Sequence, residues 1–142
     1  MIRALPAAAA RNRVPQRCAI LRPMTVDPTG ADLARLVADD PGGPVVMLNL
    51  LRFADGGREG YAEYARRTQP FLDKYGAQVV YAGDCAPPLV APEHHDWDAV
   101  LLVRYPSRQA FSAMVADPDY QRITGLRSGA LQAAVLQPTS SW

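Results

Sequence analysis

The hydrophobic residues of the chain fall into segments whose spacing predicts four strands and several helices. Residues 45–51 are apolar at every position except Asn49, without the alternation of a half-exposed strand, so we expect a strand covered on both faces. Residues 61–75 instead carry apolar and aromatic side chains at helical spacing. The other strands are predicted at residues 78–82, 99–105 and 131–136, and further helical segments at 27–38, 107–116 and 117–129.

Capping residues and prolines indicate where these helices begin. Asp27 followed by Pro28 predicts the start of the first short helix, with the aspartate capping free amides and the proline in the first turn. Asp117 and Pro118 repeat this signature, so we expect a new helical segment there. Residues 83–98 contain three prolines and are long for a hairpin connection, and we expect them to project from the body of the domain.

Apart from the short first helix, the predicted order of elements is strand, helix, strand, strand, helix, strand. This order is the split β-α-β arrangement of an α+β domain, in which the helices cover one face of a four-stranded antiparallel sheet. Strands that are apolar on both faces then leave one sheet face in need of cover, and a second copy of the chain is the simplest cover. We therefore predict a homodimer that forms through its sheet faces.

Composition and charge divide the chain near Met24. The length of 142 residues predicts one domain. Residues 1–23 hold five arginines and no acid, whereas residues 24–142 hold ten basic against fourteen acidic residues, a net charge of −4. We expect residues 24–142 to form the domain. Residues 1–23 are interpreted as a basic extension, either upstream of a true start at Met24 or a disordered arm, rather than as a targeting segment.

The same composition bears on partners and location. A mildly acidic domain lacks the basic patch of a nucleic-acid-binding protein. No apolar run approaches the length of a membrane span, so we predict no membrane partner. Cys18 and Cys85 show neither CxxC nor Cys/His zinc spacing. A reducing compartment follows most simply, and we predict that the protein is cytoplasmic.

Three stretches of the sequence are specific enough to compare with known families. They are VVMLNLLRF (Val45 to Phe53), GYAEYARRTQPFLDKYG (Gly60 to Gly76) and WDAVLLVRYPSRQAFSAMVADPDYQ (Trp97 to Gln121). They resemble the domain-of-unknown-function family numbered 1330, which belongs to the dimeric α/β-barrel superfamily, and the resemblance covers most of residues 24–137. It implies a ferredoxin-like fold and a dimer whose two sheets form a barrel, but it implies little about activity. Superfamily relatives include cofactor-free monooxygenases, polyketide cyclases, lactone isomerases and haem enzymes.

Three polar residues interrupt the apolar strands and are candidates for chemistry. Asn49 could hold a substrate carbonyl or enolate, or could simply satisfy a bulge or strand end. Arg52 points to the opposite face of the same strand and either binds a ligand or reaches water. Arg104 on the third strand would anchor a carboxylate or phenolate inside a barrel, or would pair with an aspartate near the strand end.

The predicted loop before the third strand carries both histidines of the chain. His95 could act as a general base near neutral pH, and Trp97 could wall an aromatic ligand, although a solvated loop is the simpler interpretation. We predict no metal site, since neighbouring histidines point apart and no third ligand stands at suitable spacing. Tyr64 and Tyr120 lie at inward-facing helical positions, where they could pack or line a cavity.

The sequence contains no P-loop, GxGxxG or GxSxG motif, which removes nucleotide-dependent chemistry and the common hydrolases. Our first hypothesis is a homodimer that binds an aromatic or polyketide-like compound between sheet and helices. As an enzyme it would need no cofactor and would act as an isomerase, cyclase or monooxygenase, with His95 as base and Asn49 and Arg104 holding the anion. The alternative is a non-catalytic accessory or ligand-sensing module whose barrel is filled by side chains, with Asn49 bonded to backbone.

Overall fold

A computed structural model describes residues 26–142 of the chain. The predicted boundary near Met24, the extension before it and Cys18 lie outside the described residues. The described elements are α1 (Gly30–Ala38), β1 (Val45–Phe53), α2 (Gly57–Lys74), β2 (Gln78–Asp84), β3 (Ala99–Tyr105), α3 (Arg108–Ala116), α4 (Pro118–Gln121), α5 (Thr124–Ala130) and β4 (Leu131–Thr139).

The first helix begins two residues later than the sequence predicts. Thr29 caps α1: its hydroxyl accepts a hydrogen bond from the Asp32 amide at 3.1 Å, and the Asp32 carboxylate accepts one from the Thr29 amide at 2.8 Å. This reciprocal pair satisfies two free amides at once. The predicted cap at Asp27 is therefore wrong. The Asp27 carboxylate instead binds Arg127 and Ser128 on α5.

The predicted cap at Asp117 is confirmed, because its carboxylate accepts a hydrogen bond from the Asp119 amide at 2.9 Å and Pro118 occupies the first turn of α4. The helical segment predicted from residue 117 to residue 129 divides into α4 and α5. Strand β4 extends three residues beyond its predicted end, through Pro138, which an edge strand tolerates because one row of its backbone groups is unpaired.

The four strands form one antiparallel sheet in the order β2-β3-β1-β4. β1 is central, and alternation along it turns Met47, Asn49 and Leu51 toward the helices, where all three are buried. Leu48 and Leu50 point to the other face and are half-buried. This α+β architecture agrees with the predicted fold.

Helices α2 to α5 cover one face of the sheet, and the hydrophobic core lies beneath them. Tyr64 and Leu72 of α2 and Met114 of α3 pack there against the strands. α2 continues through Pro70 as one helix. Among the described residues, no helix combines the length and the hydrophobicity needed to cross a membrane.

A close backbone contact joins α2 to the end of α5. The Ala54 amide donates to the Ala130 carbonyl at 2.9 Å, and Gly57, the first residue of α2, lies against that same carbonyl. A Cβ atom on Gly57 would stand only 2.0 Å from the Ala130 oxygen. Glycine at this position therefore allows α2 and α5 to approach, which sets the distance between the side chains that they present to the interior.

The sheet face that turns away from the helices, here called the open face, carries an apolar patch. Cross-strand neighbours Leu48 and Leu102 lie side by side on it, as do Leu50 and Val100, and all four are half-buried within one chain. At the β2 edge Tyr81, the neighbour of Leu102, is 55 % exposed.

Candidate ligand-binding site

A cavity of about 190 Å³ lies between the sheet and helices α2 to α5. Its walls combine strand residues such as Met47 and Val103 with Leu72 of α2 and Met114 of α3, so most of its surface is apolar. A second space of about 390 Å³, more open to solvent, lies beneath α1. The two spaces are adjacent, because Asp27, Pro28 and three core residues line both; the core residues are Met47, Phe111 and Leu136.

Arg127 on α5 is the cationic side chain that lines the cavity. The residue is only 5 % exposed. Its Nη1 atom donates to the Asp27 carboxylate at 2.7 Å and also to the Val26 carbonyl. Its Nη2 atom is buried and has no hydrogen-bond partner among residues 26–142. One edge of the guanidinium is thus held by the segment before α1. Nη2 makes no hydrogen bond within the described residues, and the guanidinium also lies beside the Tyr61 hydroxyl, whose pKa it lowers against the effect of burial.

Asp27 lies at the rim of the cavity and makes one more side-chain contact. Its second carboxylate oxygen accepts a hydrogen bond from the Ser128 hydroxyl, and its side chain is 39 % exposed. The Asp27 charge is consequently in contact with water, while the Arg127 charge is not. The two residues hold the segment before α1 against α5.

Four tyrosines surround the same interior. The hydroxyls of Tyr64 and Tyr120 lie 2.6 Å apart and share a hydrogen bond, and the rings of Tyr61 and Tyr64 pack at 5.4 Å between centroids. Burial raises the pKa of Tyr61 to about 12 and raises the pKa of Tyr64 and of Tyr105 further. The Arg127 guanidinium lies close enough to oppose this rise in the pKa of each of these phenols. All remain protonated at neutral pH and can donate hydrogen bonds.

Thr68 and Asn49 are further polar residues of the cavity. Thr68 is 5 % exposed, and its Oγ1 atom is buried without a hydrogen-bond partner in the described part of the chain. Asn49 is 8 % exposed, and its Nδ2 atom donates to the Met47 carbonyl at 3.2 Å. The strand backbone thus takes one of the two amide hydrogens of Asn49.

The sequence-predicted site residues lie in three places. Asn49, Tyr64 and Tyr120 line the cavity together. Arg104 is exposed on the open face, opposite Val46 of β1. Asn49 and Arg104 therefore lie on opposite sides of the sheet, and a single chain does not bring them to one ligand.

The remaining predicted residues cluster around the loop before β3. Arg52 donates from Nε to the Asp96 carbonyl at 2.7 Å, and its guanidinium lies 5.0 Å from the centre of the Trp97 ring. The ring of His95 packs edge-on against Trp97 at 6.4 Å, and His95 is exposed. These contacts order the loop, and none of the three predicted residues lines the cavity.

Sequence reasoning did not select Arg127 or Thr68 as site residues. Thr68 falls in the inward-facing stripe of α2, and a hydroxyl in an otherwise apolar and aromatic stripe was the available signal. Arg127 near a helix end resembles an ordinary surface arginine, because its burial depends on a contact with Asp27, 100 residues earlier. No group of three or more His, Cys, Asp or Glu side chains in residues 26–142 is placed to hold a metal ion.

Comparison with protein families and solved structures supports the architecture. The model of the family described as domain of unknown function DUF1330 matches residues 51–137, more than half of the chain. None of the curated proteins matches. A protein of unknown function from Rhodopseudomonas palustris is 32% identical, with 84% of this chain and 98% of that chain covered and a TM-score of 0.75.

More distant structures agree on the fold alone. A dimeric ferredoxin-like protein of unknown function from Jannaschia sp. CCS1 is 12% identical, covering 70% of this chain and 100% of that chain with a TM-score of 0.52. A dabb family protein with a ferredoxin-like fold from Mesorhizobium loti is 8% identical, with 71% of this chain and 99% of that chain covered and a TM-score of 0.51. The predicted ferredoxin-like fold is confirmed.

Proposed function

Since this chain belongs to the DUF1330 family, a family of unknown function, we propose from its own cavity that it is a small-molecule-binding protein. The observation that carries this proposal is the pair of buried, unpartnered polar atoms, Arg127 Nη2 and Thr68 Oγ1, on the cavity wall. A buried polar atom without a partner costs about 1–3 kcal/mol, and more when it is charged. A bound ligand that pairs with these atoms removes that cost.

The size of the cavity limits the ligand to about one ring. An apolar cavity of roughly 150 Å³ in another protein holds benzene. The cavity of about 190 Å³ in this chain has room for a single aromatic ring with one small substituent, and its walls are aromatic and aliphatic. This narrows the predicted aromatic or polyketide-like compound to the aromatic, single-ring class.

We further propose that the protein is a homodimer whose partner covers the open face. The half-buried patch of Leu48, Leu50, Val100 and Leu102 supports this arrangement, because contiguous apolar surface on a sheet is a usual site of association. The dimeric state of the ferredoxin-like Jannaschia protein supports it further. The cytoplasmic location inferred from the cysteines stays a prediction.

Binding is better supported than catalysis. Both histidines belong to the described residues and neither lines the cavity, so the cavity of one chain does not contain His95 as a general base. The hydrogen bond from Asn49 to the Met47 carbonyl matches the ligand-sensing alternative, whereas the presence of a cavity favours a bound compound. An isomerase, cyclase or monooxygenase activity therefore stays a prediction, as do ligand roles for Arg52, Trp97 and Arg104.

Two alanines of α2 provide a matched test. Ala65 lines the cavity and is exposed, so it stands at the mouth, whereas Ala62 on the same helix is exposed and does not line the cavity. Native mass spectrometry of the freshly purified protein should show a small co-purifying mass. We expect Ala65→Trp to abolish that adduct and Ala62→Trp to retain it. Two results together would refute the proposal. The purified protein would carry no co-purifying mass, and its cavity resonances would not shift when benzoate or benzamide is added in NMR titrations.

A further inference from the structure

Resting on the proposed function, we propose that the cavity selects an organic anion, specifically a single-ring aromatic carboxylate that binds the free edge of the Arg127 guanidinium. The donors and acceptors of the cavity support an anion. Of the described residues that line it, Arg127 is the cation and Asp27 carries the one carboxylate. Asp27 binds Nη1 and leaves Nη2 unpaired. The hydrogen-bonding capacity that the guanidinium leaves unused is therefore positive and donating.

The environments of the two charges differ. The Arg127 side chain is 6 % exposed and that of Asp27 is 39 % exposed, so water screens the carboxylate but not the inner edge of the guanidinium. The buried Arg127 guanidinium therefore still attracts a second anion, because its carboxylate partner, Asp27, is partly hydrated. A planar carboxylate matches the planar guanidinium, the geometry on which arginine recognition of such groups depends.

The Tyr64–Tyr120 pair supplies a further donor. When two hydroxyls share one hydrogen bond, one proton lies between the oxygens and the other is free to donate elsewhere. Because these phenols are buried among aromatic neighbours and stay protonated, the free hydrogen is available to a ligand oxygen rather than lost by ionisation. Thr68 adds a buried hydroxyl that lies beside Tyr64 and lowers the pKa of that phenol against the effect of burial.

The apolar walls would contact the aromatic ring of such a ligand. Leu72, Val103, Phe111 and Met114 line the cavity beneath the polar groups, and the volume fits one ring. Asp27 acts as a positioning residue in this arrangement, because its contact with Nη1 holds the guanidinium in place at the cavity wall. The ligand class is thus a small aromatic acid whose carboxylate meets Nη2 and a phenol hydrogen.

Benzoate and benzamide test the inference, because they share size and shape and differ in charge. In calorimetric titrations of the full-length protein at neutral pH, we expect benzoate to bind at least about tenfold more tightly than benzamide, a difference of about 1.4 kcal/mol. Arg127→Lys keeps a cation opposite Asp27 but removes the second edge of the guanidinium. This variant should lose most of the preference for benzoate while binding benzamide as before.

Two further variants keep the test independent of folding defects. Tyr120→Phe removes one hydroxyl of the pair without changing the ring, and should weaken benzoate binding severalfold more than benzamide binding. Arg122→Met removes an arginine whose side chain is 80 % exposed, and should leave both affinities unchanged. Equal affinity for benzoate and benzamide in the natural sequence would overturn the charge selection and leave the proposed function standing. Binding of neither probe, with an empty native mass spectrum, would overturn both.

Discussion

At the scale of single residues, Thr68 contributes to the cavity at the expense of stability. Its buried Oγ1 atom has no partner in residues 26–142, and valine has nearly the same shape without the hydroxyl. We expect Thr68→Val to raise the free energy of unfolding of the ligand-free protein by about 1 kcal/mol, because an unpaired buried hydroxyl is removed. Urea denaturation measures this change.

Ser107 is the control for that substitution. Its hydroxyl accepts a hydrogen bond from the Ala110 amide at 3.0 Å and caps α3. Ser107→Ala should therefore lower the free energy of unfolding by about 1 kcal/mol, the opposite sign. A loss of stability in Thr68→Val, similar to that of the Ser107 variant, would mean that the Thr68 hydroxyl has a partner in the ligand-free protein.

Residue-scale prediction from the sequence reached only part of the site. Tyr64 and Tyr120 can be predicted from the sequence, because an inward-facing helical position fixes the direction of their side chains. Asn49 can be predicted because a lone amide interrupts an apolar strand. Arg127 was not, since helical periodicity cannot tell a buried arginine from a surface one when its partner lies 100 residues away. The role of His95 as a base stays a prediction, because a titratable side chain on a loop carries no information about the surface that it faces.

At the scale of elements, the junction between α2 and α5 depends on the absence of a side chain at Gly57. We expect Gly57→Ala to lower the free energy of unfolding by about 1–3 kcal/mol or more, because the new Cβ atom would overlap the Ala130 carbonyl and force the two helices apart. Thermal and urea denaturation measure the loss. The same displacement should weaken ligand binding, since it moves Tyr61 and Tyr64 relative to Arg127.

Gly60, one turn further along α2, is the matched control. A Cβ atom there would lie 3.5 Å from the Ala130 Cβ atom, an ordinary contact. Gly60→Ala should therefore be neutral or stabilising by about 0.4–1 kcal/mol, because alanine restricts the unfolded chain more than glycine does. If both variants were equally stable, close packing at Gly57 would not limit the approach of α2 and α5.

The sequence predicted the order of the main elements but not all of their ends. Apolar segments identified all four strands of the described residues, because alternation and continuous hydrophobicity are local signals. The start of α1 was misassigned, since both Asp27 and Thr29 are good capping residues and tertiary contacts with α5 decide between them. The extension of β4 through Pro138 followed from its position at the sheet edge, which the local sequence does not reveal.

At the scale of the whole molecule, the proposed homodimer depends on the open face. We expect the natural sequence to have twice the monomer mass of 15.4 kDa by light scattering. Leu102→Lys should convert it to a monomer, because the lysine would place a charge within the apolar patch beside Leu48. Circular dichroism should show that the variant remains folded.

Leu89 is the control for this substitution, because it lies in the loop between β2 and β3 and is fully exposed. Leu89→Lys changes the same side chain in the same way outside the open face, and should leave the mass of the dimer unchanged. A monomeric mass for the natural sequence, or a Leu102→Lys protein that remains dimeric, would contradict association through this face.

The central position of β1 affects the protein while the ribosome is still making it. β1 is the first of the described strands to emerge, yet the strands that flank it, β3 and β4, follow about 50 and 80 residues later. Until β3 has been made, both edges of β1 are unpaired and open to other nascent chains, and the edge that β4 covers stays open until β4 follows. A message that is truncated or stalled before β4 therefore yields a fragment that is a substrate for chaperones and proteases.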